Sequence, residues 1–117
     1  MGNSDDRPAT ILLVEDIDWI RASMKSSLKR EGYLVAEATN DTEALEVVER
    51  EPIELVLTEE KLPTFQSLLA RLREHPVFSL LPIAIINPDA DEGARCEDAY
   101  LLTDYTRIAA LLPSLRP

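Results

Sequence analysis

The chain has 117 residues, 45% of them hydrophobic, which is enough for one buried core and short for two ordinary domains. Its formal charge of −10 opposes phosphate at long range, and its single cysteine, Cys96, excludes an internal disulfide framework and agrees with a reducing, cytoplasmic compartment. No apolar run nears the roughly twenty residues of a membrane span, so neither nucleic acid nor membrane is the expected partner.

Residues 1–8, MGNSDDRP, read as a polar, flexible tail, with one domain over 9–117. Ala9 to Val14 is a continuous apolar run, too short for a helix and suited to a strand buried on both faces. It stops at Glu15 and Asp16. Asp18 is the expected cap of a helix through about Glu31, whose apolar stripe is Ile20, Met24 and Leu28 and whose end is Gly32. The basic residues Lys25, Lys29 and Arg30 lie among acids and read as a solvated helix face.

A second strand follows over Tyr33 to Ala38. Asn40 then offers a cap, with Glu43 three positions on, for a helix burying Ala44, Leu45, Val47 and Val48 and stopping before Pro52. Ile53 to Leu57 reads as a third strand, leading into an acidic loop that carries Glu59, Glu60 and Lys61 up to Pro63. The helix after Thr64 runs to about Glu74 with Leu68, Leu69 and Leu72 inward, and His75 before Pro76 is placed to meet its last carbonyls.

Ile83 to Ile86 is a fourth strand. The next segment, NPDADEGARCEDA, lacks apolar periodicity and reads as loop with at most a turn or two of helix. Ala99 to Leu102 gives a fifth strand and Tyr105 to Leu112 a last helix. Strands alternating with amphipathic helices mean an α/β domain around a parallel sheet with right-handed crossovers.

The runs ILLVEDIDWIR, EGYLVAEATNDTEALEVVEREPIELVLTEEKLP, LPIAII and AYLL, in that order over roughly Thr10 to Leu112, resemble the receiver domain of bacterial two-component response regulators. The resemblance implies a flavodoxin-like three-layer sandwich with a five-stranded parallel sheet in the order 2-1-3-4-5. The segment for the fourth helix is short, so that helix is expected to be shortened or missing.

Carried over by position, the family's acidic pair matches Glu15 and Asp16, and the aromatic of its fifth strand matches Tyr100. Three other positions depart from the pattern. Glu59 stands where the phosphoacceptor aspartate belongs, four residues before Pro63. Asn87 replaces the hydroxyl residue, and Thr103 and Asp104 replace the Lys-Pro pair.

Each departure has a physical consequence. Glutamate is one methylene longer than aspartate, which displaces its carboxylate from near-attack geometry, and loss of the lysine removes a cation from the phosphoryl oxygens. The expected function is therefore that of a pseudo-receiver: a non-phosphorylatable signalling module, not an enzyme, acting on a protein partner or a neighbouring domain as a monomer or weak dimer. The competing reading is a working phosphoacceptor with altered geometry at Glu59, Glu60 or Asp16.

Without the lysine, Glu15, Asp16 and Glu59 crowd three carboxylates together, and they cannot all ionise cheaply. A raised pKa, a divalent cation or a protein cation would each resolve the crowding. No cofactor is required; if Mg²⁺ binds, those three residues would hold it. Lys61 is the candidate cation from the chain itself.

Overall fold

The computed structural model of the protein describes residues 9–87, 95–96, 99–102 and 108. The apolar runs form strands β1 (Thr10–Val14), β2 (Leu34–Ala38), β3 (Leu55–Glu59), β4 (Ile83–Ile86), β5 (Arg95–Cys96) and β6 (Ala99–Leu102). The sheet order is β2-β1-β3-β4-β6-β5. Its first five members pair in parallel, so β6 takes the fifth place in the expected flavodoxin-like order.

β5 is the difference. It runs antiparallel along the outer edge of β6, with Arg95 opposite Tyr100 and Cys96 opposite Ala99. The reading of this segment as loop or a turn of helix is corrected at these two residues. Two residues are too few to show a period in the sequence, yet they pair backbone groups that β6 would otherwise leave open. Among the described residues no helix lies between β4 and β6.

Three helices are described: α1 (Asp18–Arg30), α2 (Asp41–Arg50) and α3 (Phe65–Glu74). Alternation along the strands divides the core between the two faces of the sheet. Leu12, Val14, Val56, Ile83 and Ile85 pack against Leu45 and Val48 of α2 and Leu68, Leu69 and Leu72 of α3. Ile11, Leu13, Leu55, Leu57, Ala84 and Ile86 pack against Met24 and Leu28 of α1 and against Ile108. Burial of each such large side chain stabilises the fold by roughly 1.5–3 kcal/mol. The expected helix at Tyr105 to Leu112 lies outside the described residues except for Ile108, which is buried.

The helix ends follow local chemistry. Gly32, at φ 98°, closes α1 in the left-handed region; its amide bonds the Lys29 carbonyl while the Tyr33 amide reaches back to Leu28. Asn40 caps α2 by accepting the Glu43 amide at 2.9 Å, and Glu43 in turn accepts the Thr39 amide and hydroxyl.

Two expectations are corrected here. Asp18 does not cap α1: Ile17 holds that position without a side-chain bond, and Asp18 lies in the first turn, paired with Arg21. His75 ends α3, but its Nδ1 accepts the amides of Val77 and Phe78 instead of meeting the last helix carbonyls. Pro76 turns the chain so that these amides point back at the ring.

Candidate functional site: the acidic end of β1 and β3

The third strand lies two residues further along than the apolar run suggests, spanning Leu55 to Glu59 instead of Ile53 to Leu57. Thr58 lets it continue: fully buried, it donates its hydroxyl to the Val14 carbonyl at 3.2 Å. Glu59 pairs with Ile86 of β4, so it belongs to the sheet and only Glu60 and Lys61 start the loop.

Register then brings two acids together. Leu13 lies beside Leu57 and Val14 beside Thr58, so one more step sets Glu15 beside Glu59. Both continue the side-chain alternation of Leu13 and Leu57, toward the α1 face.

Glu15 is 1% exposed, whereas Glu59 is half-buried and Asp16 exposed. The Glu15 backbone is held on both sides, its amide donating to the Ala38 carbonyl and its carbonyl accepting from Arg21 Nη1 at 2.9 Å. Its Oε2 accepts the Ile17 amide at 2.9 Å, while Oε1 is buried with no donor. Burial first, and then the adjoining Glu59 carboxyl, push the Glu15 carboxyl up to about 8 against the opposing pull of the Ile17 amide. A carboxyl raised this far favours its protonated form near neutrality, and that hydrogen can lie between the bare Oε1 and the Glu59 side chain.

The remaining site residues are spread around this pair. Asn87, at the end of β4, donates through Nδ2 to Glu60 Oε2 at 2.6 Å, a link the sequence did not suggest. Lys61 lines the open pocket with Glu59, Glu60, Ile86 and Asn87, but it is exposed and makes no ion pair among the described residues. Tyr100 is half-buried in β6, opposite Ala84. Thr103 and Asp104 lie outside the described residues.

Sequence reasoning also missed Arg21, whose guanidinium joins the Glu15 carbonyl, Asp18 and Glu37 and so pins the β1–α1 loop to β2. Its signal was weak: a lone arginine beside the apolar stripe of α1 resembles any solvated helix residue.

A divalent ion such as Mg²⁺ calls for several oxygens around an open, hydrated centre. Glu15 is closed off in the core with one oxygen bound to an amide, and among the described residues no three His, Cys, Asp or Glu side chains form a group that could hold a metal ion. The donor set does not fit one.

The transcriptional regulatory protein SrrA of Staphylococcus aureus is 30% identical over 116 residues, covering 87% of this chain and 47% of that protein. The chain thus spans about half the length of the curated relatives it matches. A putative response regulator from Chloroflexus aurantiacus superposes with a TM-score of 0.75 at 24% identity, covering 93% of this chain and 98% of the other. The receiver domain of the sensor histidine kinase PA1611 from Pseudomonas aeruginosa, solved with a magnesium ion coordinated in its active site cleft, gives a TM-score of 0.71 at 25% identity over 92% of this chain and 94% of that one. Residues 11–99 match the family model for the response regulator receiver domain, and the chain belongs to that family.

Proposed function

We propose that this receiver domain does not take a phosphoryl group and signals through contact with a protein partner or neighbouring domain of a two-component system in the cytoplasm. The observation that carries the reading is the position of Glu59. The carboxyl in the phosphoacceptor place borders the open pocket but also adjoins the buried Glu15 carboxyl. A nucleophile must meet phosphorus in line and at close range, and a carboxylate already engaged by a neighbouring acid is poorly placed to do so.

The surroundings support the same reading. Asn87, in the hydroxyl position, is directed to Glu60, and no described cation pairs with Glu59. A surface for a partner lies close by: Ile17 is 42% and Trp19 75% exposed at the start of α1, directly after the acidic pair. A large aromatic held in water by a formed helix contributes mainly when a partner covers it.

The test is incubation of the protein with acetyl phosphate and MgCl₂ followed by intact-mass measurement, with a phosphorylatable receiver as positive control. Unmodified protein is the expected result. An adduct of one phosphoryl group, lost in Glu59→Gln, would establish the competing phosphoacceptor reading.

A further inference from the structure

We infer that residues 16–19, where β1 passes into α1, dock a segment of a protein partner that carries arginine or lysine beside large apolar side chains. The inference deepens the proposed function and rests on it for the idea that this end of the sheet signals by protein contact. Its own grounds are exposure and charge.

Residues 16–19 alternate acid and apolar, DIDW, and all four are exposed. The helix explains why the tryptophan is bare. α1 turns Ile20, Met24 and Leu28 toward the core, and Trp19 lies one residue, about 100°, off that stripe. Its neighbours one turn on, Ala22 and Ser23, are exposed and too short to cover an indole. The junction is nevertheless held firmly. The Ile17 amide donates to Glu15 Oε2, the Ile17 carbonyl accepts the Arg21 amide, and the Arg21 guanidinium reaches the Glu15 carbonyl, each at 2.9 Å. A patch fixed in advance has less ordering to lose when it is covered.

Charge selects what covers it. Asp18 keeps its side chain 89% exposed despite its pair with Arg21. The loop leaving β3, the strand next to β1, adds the exposed Glu60, whose Oε2 accepts only a neutral donor, the Asn87 amide. The nearby cations are otherwise directed: Arg21 sends its other donors to Glu37 and the Glu15 carbonyl, and Lys61 forms no ion pair among the described residues. A partner's guanidinium or ammonium would gain both the carboxylates and the indole face. A second copy of this chain would instead set the same acids against each other across a two-fold axis, and the net charge of −10 repels nucleic acid.

The experiment titrates the protein with three synthetic helical peptides that share one leucine pattern and carry arginine, glutamine or glutamate at every polar position. Trp19, the chain's only tryptophan, is followed by fluorescence, and the backbone amides by NMR. The expected result is a saturable change with the arginine peptide alone, weakened by salt, with amide shifts centred on Ile17 and Trp19. Trp19→Ala, read by NMR, should weaken that binding roughly tenfold and Asp16→Asn roughly two- to fivefold. No saturable change with the arginine peptide overturns the inference, as does equal binding of the glutamine or glutamate peptide; these titrations stand by themselves if a variant does not fold. Affinity unchanged in Trp19→Ala, or shifts centred instead on Glu43 and Glu46 of α2, places the contact elsewhere and also overturns it. Sedimentation of the protein alone showing a dimer that Trp19→Ala dissolves would make a second copy the occupant. The two readings fail separately: a phosphoryl adduct removes the proposed function and leaves the peptide result standing, whereas absence of both adduct and peptide binding removes this inference alone.

Discussion

Glu15 and Glu37 sit at neighbouring places on the sheet, one just after β1 and the other near the end of β2, and their surroundings move them in opposite directions. Burial and an adjoining acid hold the Glu15 carboxyl well above the usual range. Lys25, at 2.7 Å, and then Arg21, at 3.3 Å, hold Glu37 below it. Arg21 touches both neighbourhoods, yet it directs its donors to Glu37, Asp18 and the backbone carbonyl of Glu15, with none going to the Glu15 carboxyl. Proximity of a cation is therefore not sufficient; the donor must reach the carboxylate. The α1–β2 corner is a satisfied ion network, whereas the β1–β3 corner is an acid pair whose charge is suppressed.

The sharpest way to break that comparison is pH. The folded-state pKa of Glu15, about 8, lies above its ordinary 4.5, so between those values the folded protein binds more protons than the unfolded one. Stability should therefore fall as pH rises through this window and level off above it, by on the order of 3–5 kcal/mol if Glu15 acts alone. Glu15→Gln keeps the shape, still accepts the Ile17 amide and offers Glu59 a donor, so it should remove most of that slope and be the more stable protein on the alkaline side. Denaturant unfolding across the pH series checks this, and parallel slopes for parent and variant would dissolve the contrast between the two corners.

Arg21→Met tests the satisfied side. Its guanidinium is largely buried and makes three contacts, so the variant should lose roughly 1–3 kcal/mol. The sign of the pH effect is reversed here. Glu37 has a lowered pKa, so its contribution is present above the ordinary carboxylate value and lost as pH falls. Part of the Arg21→Met deficit should thus disappear in acid, leaving the share due to the Glu15 carbonyl. Urea titrations at neutral and acid pH would measure both shares, and a deficit indifferent to pH would assign the whole effect to that carbonyl.

The same contrast separates what the sequence made legible from what it did not. The parallel strands, the two-faced core and the Asn40 and Gly32 helix ends follow from short-range patterns: apolar runs buried on both sides, period-four stripes, and residues suited to caps or positive φ. The acidic cluster was legible through the resemblance, including the prospect of a raised pKa. Its internal arrangement was not. That depends on strand register, which places Glu15 beside Glu59, and on Thr58, whose buried hydroxyl carries β3 further than its apolar run. The Asn87–Glu60 bond and the reach of Arg21 to Glu37 join residues 27 and 16 positions apart, and no local pattern encodes them.

Lys61 is where sequence proximity and spatial supply part most clearly, and it carries the smallest expected effect. Two residues from Glu59 and on the pocket's edge, it was the natural candidate for the missing cation. A compensating role predicts that Lys61→Met loses stability near neutral pH and regains some of it in acid. The geometry predicts otherwise: the side chain is exposed and forms no ion pair among the described residues. A solvated ammonium at the rim is screened by water and salt before it reaches a buried carboxyl. Lys61→Met should therefore stay within about 0.5 kcal/mol of the parent at either pH, as surface substitutions away from specific contacts do. If a larger loss appears at neutral pH and shrinks in acid, Lys61 reaches the acid pair in solution, and the β1–β3 corner is a neutralised network like its neighbour.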